Sequence, residues 1–285
     1  DALIIFQDIL TPLTPMGLPF VFRPGPVLEE PIRSEADLGR LREFDPHEEL
    51  DSVAETIRLV SREVDGELPI LGFAGAPFTL AAFILEGGSP GSGLNHTREL
   101  MNDRPGLVHA LLERLTEMTG RYLRMQIETG VHAVQLFESC ADLISFEEYQ
   151  SFAQPYEAAV MKAIEGTVPR ILFAKERPWL NAMAFTGADV LSVGRCVDLR
   201  EAREQLGGGV ALQGNVDNQI LAEGTPDDVE AATRECIVAG GRQGHILNLN
   251  HGVLRHTPVE NVQRLIDICR STALDPAGSG DEQRM

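Results

Sequence analysis

Ile4-Ile5-Phe6-Gln7-Asp8-Ile9-Leu10 is an apolar run that delivers a single acidic residue, and Thr11-Pro12 follows it at once. Proline disfavours helical geometry in the residue before it, so no helix runs smoothly through this stretch. The pattern predicts a strand with Ile4, Ile5 and Phe6 buried and Asp8 at its C-terminal mouth. Two roles are open to an aspartate there. It can form a turn or cap a helix, or it can present a carboxylate to a cleft.

The same pattern recurs downstream. Short apolar runs at residues 69–73, 132–137, 170–173, 190–193, 210–213 and 245–249 each end in small or polar residues. Helical segments separate most of them, with starts marked by Asp45-Pro46, the capping box Ser145-x-x-Glu148, Thr225-Pro226 and Thr257-Pro258. One helix is expected from Asp45 to about Asp65, and a long helical region from Thr97 to about Thr129. Residues 17–27 alternate aromatic and β-branched side chains between prolines, as a hairpin excursion does. Gly87-Gly88-Ser89-Pro90-Gly91-Ser92-Gly93 lacks the Gly-Lys-Ser/Thr ending of a phosphate-binding loop and reads as a plain loop.

Strand and helix in alternation specify a parallel sheet. With 285 residues, the chain is long enough for an α/β barrel of about 250 residues. Seven strands are one short of closure, so the expected fold is a (β/α)8 TIM barrel missing its first strand, with an open doubly wound sheet as the competitor. No Gly-x-Gly-x-x-Gly follows the opening strand, which leaves a dinucleotide fold with little support. The expected domain layout is one barrel over residues 1–273 and a disordered tail over 274–285, where apolar periodicity ends.

Composition narrows the function. A formal net charge of -19, from 24 Lys and Arg against 43 Asp and Glu, argues against non-specific binding to nucleic acid or to anionic membrane. No apolar run approaches the ~20 residues that span a bilayer. Cys140, Cys196, Cys236 and Cys269 are widely spaced without Cys-x-x-Cys, which suits a reduced, cytoplasmic protein better than a disulfide framework or a thiolate zinc site.

In a barrel, chemistry sits at the C-terminal strand ends. Here those ends carry Gln7-Asp8, Ala74-Gly75-Ala76-Pro77, Glu138-Ser139, Ala174-Lys175-Glu176, Gln213-Gly214-Asn215 and Asn250-His251-Gly252. Each residue also has a bland role: caps for Glu138 and Ser139, a solvated lysine, a turn former at Asn215, a satisfied loop histidine at His251.

Six blocks, in order, resemble the uroporphyrinogen decarboxylase family. They are Phe6-Gln7-Asp8-Ile9-Leu10, the stretch from Gly72 to Leu80 with Glu86-Gly87-Gly88 behind it, Gln135-Leu136-Phe137-Glu138-Ser139, Phe173-Ala174-Lys175, Gln213-Gly214-Asn215-Val216-Asp217 and Asn248-Leu249-Asn250-His251-Gly252. The resemblance implies a homodimeric (β/α)8 barrel that removes CO2 from the four acetate side chains of uroporphyrinogen without metal or organic cofactor. It implies that Asp8 accepts hydrogen bonds from the pyrrole N–H groups of the tetrapyrrole and stabilises the cation made by ring protonation. By the same matching Phe137 packs on the macrocycle, and Ser139 and His251 contact substrate carboxylates. Phe83 stands at a substrate-contact position where the family has tyrosine, so one hydroxyl contact is gone.

Other departures matter for the substrate. The family's R-Q-A-G-R-Y motif does not occur in these 285 residues, and the expectation is that it belongs upstream of Asp1. Positive charge for an anionic substrate is then expected from Arg23, Lys175 and Arg195. Val193-Gly194-Arg195 replaces an L-D-W triplet, and Asn218 stands where proline is usual. Two alternatives are a zinc-dependent corrinoid or thiol methyltransferase on the same barrel, for which the strand ends offer no His-x-Cys pair, and a non-catalytic tetrapyrrole-binding relative.

Overall fold

The computed structural model describes residues 1–91, 93–177 and 179–272. The chain divides into two compact units, Asp1–Ser192 and the residues from Val193 onward. In the first unit the order is β1 (Leu3–Ile4), β2 (Phe20–Phe22), β3 (Pro26–Leu28), α1 (Glu35–Leu38), α2 (Pro46–Glu49), α3 (Asp51–Val64), β4 (Ile70–Gly75), α4 (Pro77–Glu86), α5 (Asn95–Asp103), α6 (Pro105–Thr129), β5 (Ala133–Glu138), α7 (Phe146–Phe152), α8 (Gln154–Ala163), β6 (Arg170–Ala174), α9 (Leu180–Phe185) and β7 (Val190–Ser192). The second unit holds α10 (Leu199–Leu206), β8 (Ala211–Gln213), α11 (Asn218–Glu223), α12 (Pro226–Gly240), β9 (His245–Ile246) and α13 (Val259–Ser271).

Strands β1, β4, β5, β6 and β7 pair side by side and parallel in that order; in the second unit β8 pairs parallel with β9. Strand and helix alternate in both units, so the α/β class expected from the sequence holds. Parallel strands are covered on both faces, which is why β4 and β6 are apolar and buried almost throughout. Helix α6 packs on β4 and β5 with a stripe at helical spacing: Leu107, Leu111, Leu115, Met118, Tyr122 and Met125 are buried. Each fully buried leucine in such a stripe contributes roughly 2 kcal/mol.

A side chain completes the sheet where β1 stops. In a parallel ladder Leu71 and Phe73 direct their backbone groups to the same neighbour. Leu71 C=O receives the Ile5 N–H at 3.0 Å, but Phe73 N–H donates to Gln126 Oε1 and Phe73 C=O accepts from Gln126 Nε2, both at 3.0 Å. Gly72 makes room, since a Cβ there would lie 2.3 Å from Gln126 Oε1.

Several expectations are corrected. Of the three residues expected to be buried in the opening strand, only Ile5 is (5% exposed), while Ile4 is 53% and Phe6 91% exposed. Ile4 and Phe6 share one face at the strand period of two, so this is a half-covered edge strand. The helical region from Thr97 onward is two helices: Arg104, at φ -138° and ψ 54°, precedes Pro105 and cannot stay helical. The helix from Asp45 is likewise divided at Leu50, φ -120° and ψ 31°, although Asp45 does cap it by accepting the His47 N–H at 2.9 Å. Ser145 and Thr225 form capping boxes with Glu148 and Asp228, but Thr257 caps nothing, because Pro258 is the N-cap residue of α13. The strand expected over 245–249 ends at Ile246; Asn248 Oδ1 takes the Leu249 N–H locally, and pairing resumes only as a Val216–Leu249 bridge. The expected tail at 274–285 lies outside the described residues.

Candidate active site

Asp8 lies four residues beyond β1, half-buried. Its Oδ1 accepts the Leu10 N–H at 2.8 Å and its C=O accepts the Thr11 N–H at 3.1 Å, which starts a short 3-10 turn over Thr11–Leu13. The turn-forming role and the cleft-facing role are therefore compatible, since one carboxylate oxygen serves the turn. The glycine at the exit of β4 lets this loop come close: a Cβ on Gly75 would lie 3.3 Å from Ile9 Cβ and 2.9 Å from Leu80 Cδ2. Gln7, next to Asp8, donates from Nε2 to the hydroxyl of buried Tyr122 on α6. Tyr122 was not singled out from the sequence; a tyrosine in an apolar helix stripe needs a partner, and that is the signal it offers.

Phe137 belongs to a row of three rings on neighbouring strands. Its centroid is 5.4 Å from Phe73 on β4 and 5.7 Å from Phe173 on β6, both in edge-to-face geometry. Strand register explains the row, because Phe137 is opposite Gly75 on one side and Phe173 on the other. Phe83, half-buried in α4, closes the C-terminus of that helix with its carbonyl, which accepts the Gly87 and Gly88 N–H groups at 3.0 and 2.9 Å.

Glu138 follows Phe137 and so faces the opposite side of β5, towards the helices, where it is fully buried. Its Oε1 accepts from the Thr79 hydroxyl at 2.6 Å and the Cys140 N–H at 3.1 Å, and its Oε2 accepts the Thr79 N–H at 3.3 Å. The Ser139 N–H donates to the same Thr79 hydroxyl at 2.8 Å. Burial pushes the Glu138 carboxyl up to about 7, against the opposing pull of these hydrogen bonds. Glu157 on α8, also fully buried, is raised well above the ordinary carboxylate value by desolvation and then by the Glu138 charge. Three donors suit an ionised Glu138, whereas Glu157 receives only the Tyr149 hydroxyl at 2.6 Å and has an unpartnered Oε1. Glu157 is the carboxyl that keeps its proton.

The cations expected to attract an anionic substrate are partly committed. Lys175 Nζ lies 3.0 Å from Asp142 Oδ2, and Arg195 Nη1 lies 3.2 Å from Asp217 Oδ2; Arg23 is exposed at the tip of the β2–β3 hairpin. Arg177, which the sequence did not mark out, bonds the carbonyls of Ala141, Asp142 and Ile144 and lies over the Trp179 ring at 5.3 Å.

His251 belongs to the second unit, exposed in the loop after β9. The residues either side of it are fixed: Asn218 N–H donates to Asn250 Oδ1 and Asn218 Nδ2 donates to the Gly252 carbonyl, both at 2.8 Å. A proline at 218 could make neither bond. Asn215 Nδ2 in turn donates to the carbonyls of Gly194 and Val197 at 2.9 and 2.7 Å. Among the described residues, no group of three or more His, Cys, Asp or Glu is placed to hold a metal ion, and no helix is long and apolar enough to cross a membrane.

Carboxylate, hydroxyl and aromatic side chains at the exits of parallel strands define the class of α/β proteins that work at the carboxyl ends of their strands. The family model described as uroporphyrinogen decarboxylase matches residues 1–272. The chain is 40% identical over 273 residues to the uroporphyrinogen decarboxylase of Syntrophotalea carbinolica, covering 94% of this chain and 78% of that protein. To the enzyme of the same name from Streptomyces avermitilis it is 43% identical over 272 residues, covering 94% and 76%. Among solved structures, a methyltransferase from Methanosarcina mazei superposes with a TM-score of 0.77 at 21% identity, over 94% of this chain and 79% of that one, a likeness of fold. The chain belongs to the uroporphyrinogen decarboxylase family.

Proposed function

We propose that this protein is a uroporphyrinogen decarboxylase, a carboxy-lyase that converts the four acetate side chains of uroporphyrinogen to methyls and yields coproporphyrinogen and CO2. The observation that carries the proposal is the family match across residues 1–272, with relatives of that name about 40% identical over nearly the whole chain.

The chemistry fits a carboxylate such as Asp8. Protonation of a pyrrole carbon makes the ring a cation and an electron sink. The bond between the side-chain methylene and its carboxylate then breaks, its electron pair enters the ring and CO2 leaves. A second proton converts the exocyclic methylene to a methyl as the first departs, so each acetate exchanges CO2 for a proton. Asp8, with one oxygen held by the Leu10 amide, offers the other to the pyrrole N–H groups and the ring cation. A fixed carboxylate in a poorly solvated cleft stabilises such a cation by several kcal/mol. Phe137 supplies a face for the macrocycle, Ser139 and His251 bind substrate carboxylates, and Phe83 is the contact position that lacks a hydroxyl.

The proposal extends to architecture and assembly. The β/α alternation supports a (β/α)8 barrel, and family resemblance supports a homodimer. Four widely spaced cysteines without a paired motif support a reducing, cytoplasmic setting. Anaerobic incubation with uroporphyrinogen tests the activity. Coproporphyrinogen and CO2 are the expected products; their absence with folded protein would remove the reading.

A further inference from the structure

We infer that Glu138 and Thr79 are positioning residues that set the place of Ser139 at the exit of β5. The inference rests on the proposed contact between Ser139 and a substrate carboxylate. A threonine hydroxyl has one proton to give and lone pairs to receive. Thr79 uses both, donating to Glu138 Oε1 at 2.6 Å while accepting the Ser139 N–H at 2.8 Å. The next amide along, that of Cys140, donates to the same glutamate oxygen at 3.1 Å. Both amides that bracket the Ser139 α-carbon are therefore fixed from the helix side of the strand.

The clamp also ends a helix. Thr79 is the third residue of α4, and its N–H is one of the donors that a helix N-terminus leaves unpaired. Ala76 at the N-cap has no side-chain acceptor, and Glu138 Oε2 receives that N–H instead. One buried carboxylate thus joins the first turn of α4 to the exit of β5. Only an acceptor-only group satisfies three converging donors; a glutamine would turn an N–H2 towards one of them, and an aliphatic residue would leave all three unpaired in the core.

The test uses the full chain and uroporphyrinogen, comparing Thr79→Val, Thr79→Ser, Ser139→Ala and the Thr79→Val/Ser139→Ala double variant. Thr79→Val is expected to raise KM about tenfold with kcat changed less than about threefold, the split of lost ground-state binding. Thr79→Ser, which keeps the hydroxyl, is expected to restore KM, and the double variant to be no worse than Ser139→Ala alone. An unchanged KM in folded Thr79→Val, or additive losses in the double variant, would overturn the inference. If Thr79→Val does not fold, Glu138→Gln takes its place under the same criteria; failure of both to fold assigns the clamp to stability alone and overturns it too. An unchanged KM in Ser139→Ala strikes the substrate contact itself, and no turnover by the unsubstituted chain strikes the proposed function, so the three failures are told apart.

Discussion

The Leu10 N–H donates to Asp8 Oδ1 at 2.8 Å, so one oxygen of the proposed catalytic carboxylate is held by the turn that carries it. Asparagine can accept the same N–H through its amide oxygen, which separates the turn from the charge. Asp8→Asn is expected to keep the melting temperature and lose about 100- to 1000-fold in kcat, the usual effect of removing one electrostatic partner of a charged transition state. Steady-state kinetics beside a thermal melt checks it, and retained turnover would exclude Asp8 from the chemistry.

Gly72 has no space for a methyl group. A Cβ there meets Gln126 Oε1 at 2.3 Å, and that amide cannot move without releasing both backbone groups of Phe73. Gly72→Ala is expected to cost about 2–4 kcal/mol, combining overpacking with unpaired buried amides. Urea unfolding reads the loss as a lower midpoint.

Glu157 makes stability depend on pH in a direction opposite to that of most carboxylates. Its folded pKa lies well above the ordinary 4.5. The folded protein thus holds a proton that the unfolded chain releases. The stability this adds is complete below 4.5 and is lost as the pH rises towards the folded value. Glu157→Gln removes that loss, so stability should decline less as the pH rises above 4.5 than in the natural chain. Parallel slopes in denaturant titrations would show that Glu157 is not the proton holder.

Asn218→Ala keeps the backbone N–H to Asn250 but deletes the bond to the Gly252 carbonyl. A stability loss of about 1 kcal/mol is expected for one buried hydrogen bond. If His251 binds a substrate carboxylate, its looser loop should also raise KM about threefold with kcat little changed. An unaltered KM would separate this loop from substrate binding.

How much of this was legible in the sequence differs from residue to residue. Apolar runs and caps located the strands and most helix starts, because those signals are local: Ser145 and Glu148 are three residues apart and do form their box. The break at Arg104 was equally local, since the residue before a proline resists the helical region, yet the apolar periodicity on both sides of it suggested one helical region. The exposure of Ile4 and Phe6 is not legible in the sequence, because a strand sequence does not say whether both of its faces are covered. Asp8 was readable as a strand-exit carboxylate, but Thr79 and Glu138, 59 positions apart, meet only once β4, α4 and β5 are assembled. Alternation along β5 places Phe137 and Glu138 on opposite faces; it cannot say what waits on the helix side.

Gln126 completes the edge of β4 that β1 leaves open, and this bears on self-association. Beyond Leu71, the backbone row that an intruding strand from another molecule would pair with is already occupied by a side-chain amide. Such an amide can pair like a strand but cannot be extended like one. The exposed apolar face of Ile4 and Phe6 therefore lies beside a sheet edge whose next rung is sealed. Replacing Gln126 with a residue that cannot both donate and accept would unseal it, turning a loss of two internal hydrogen bonds into an opening for chain-to-chain β-pairing.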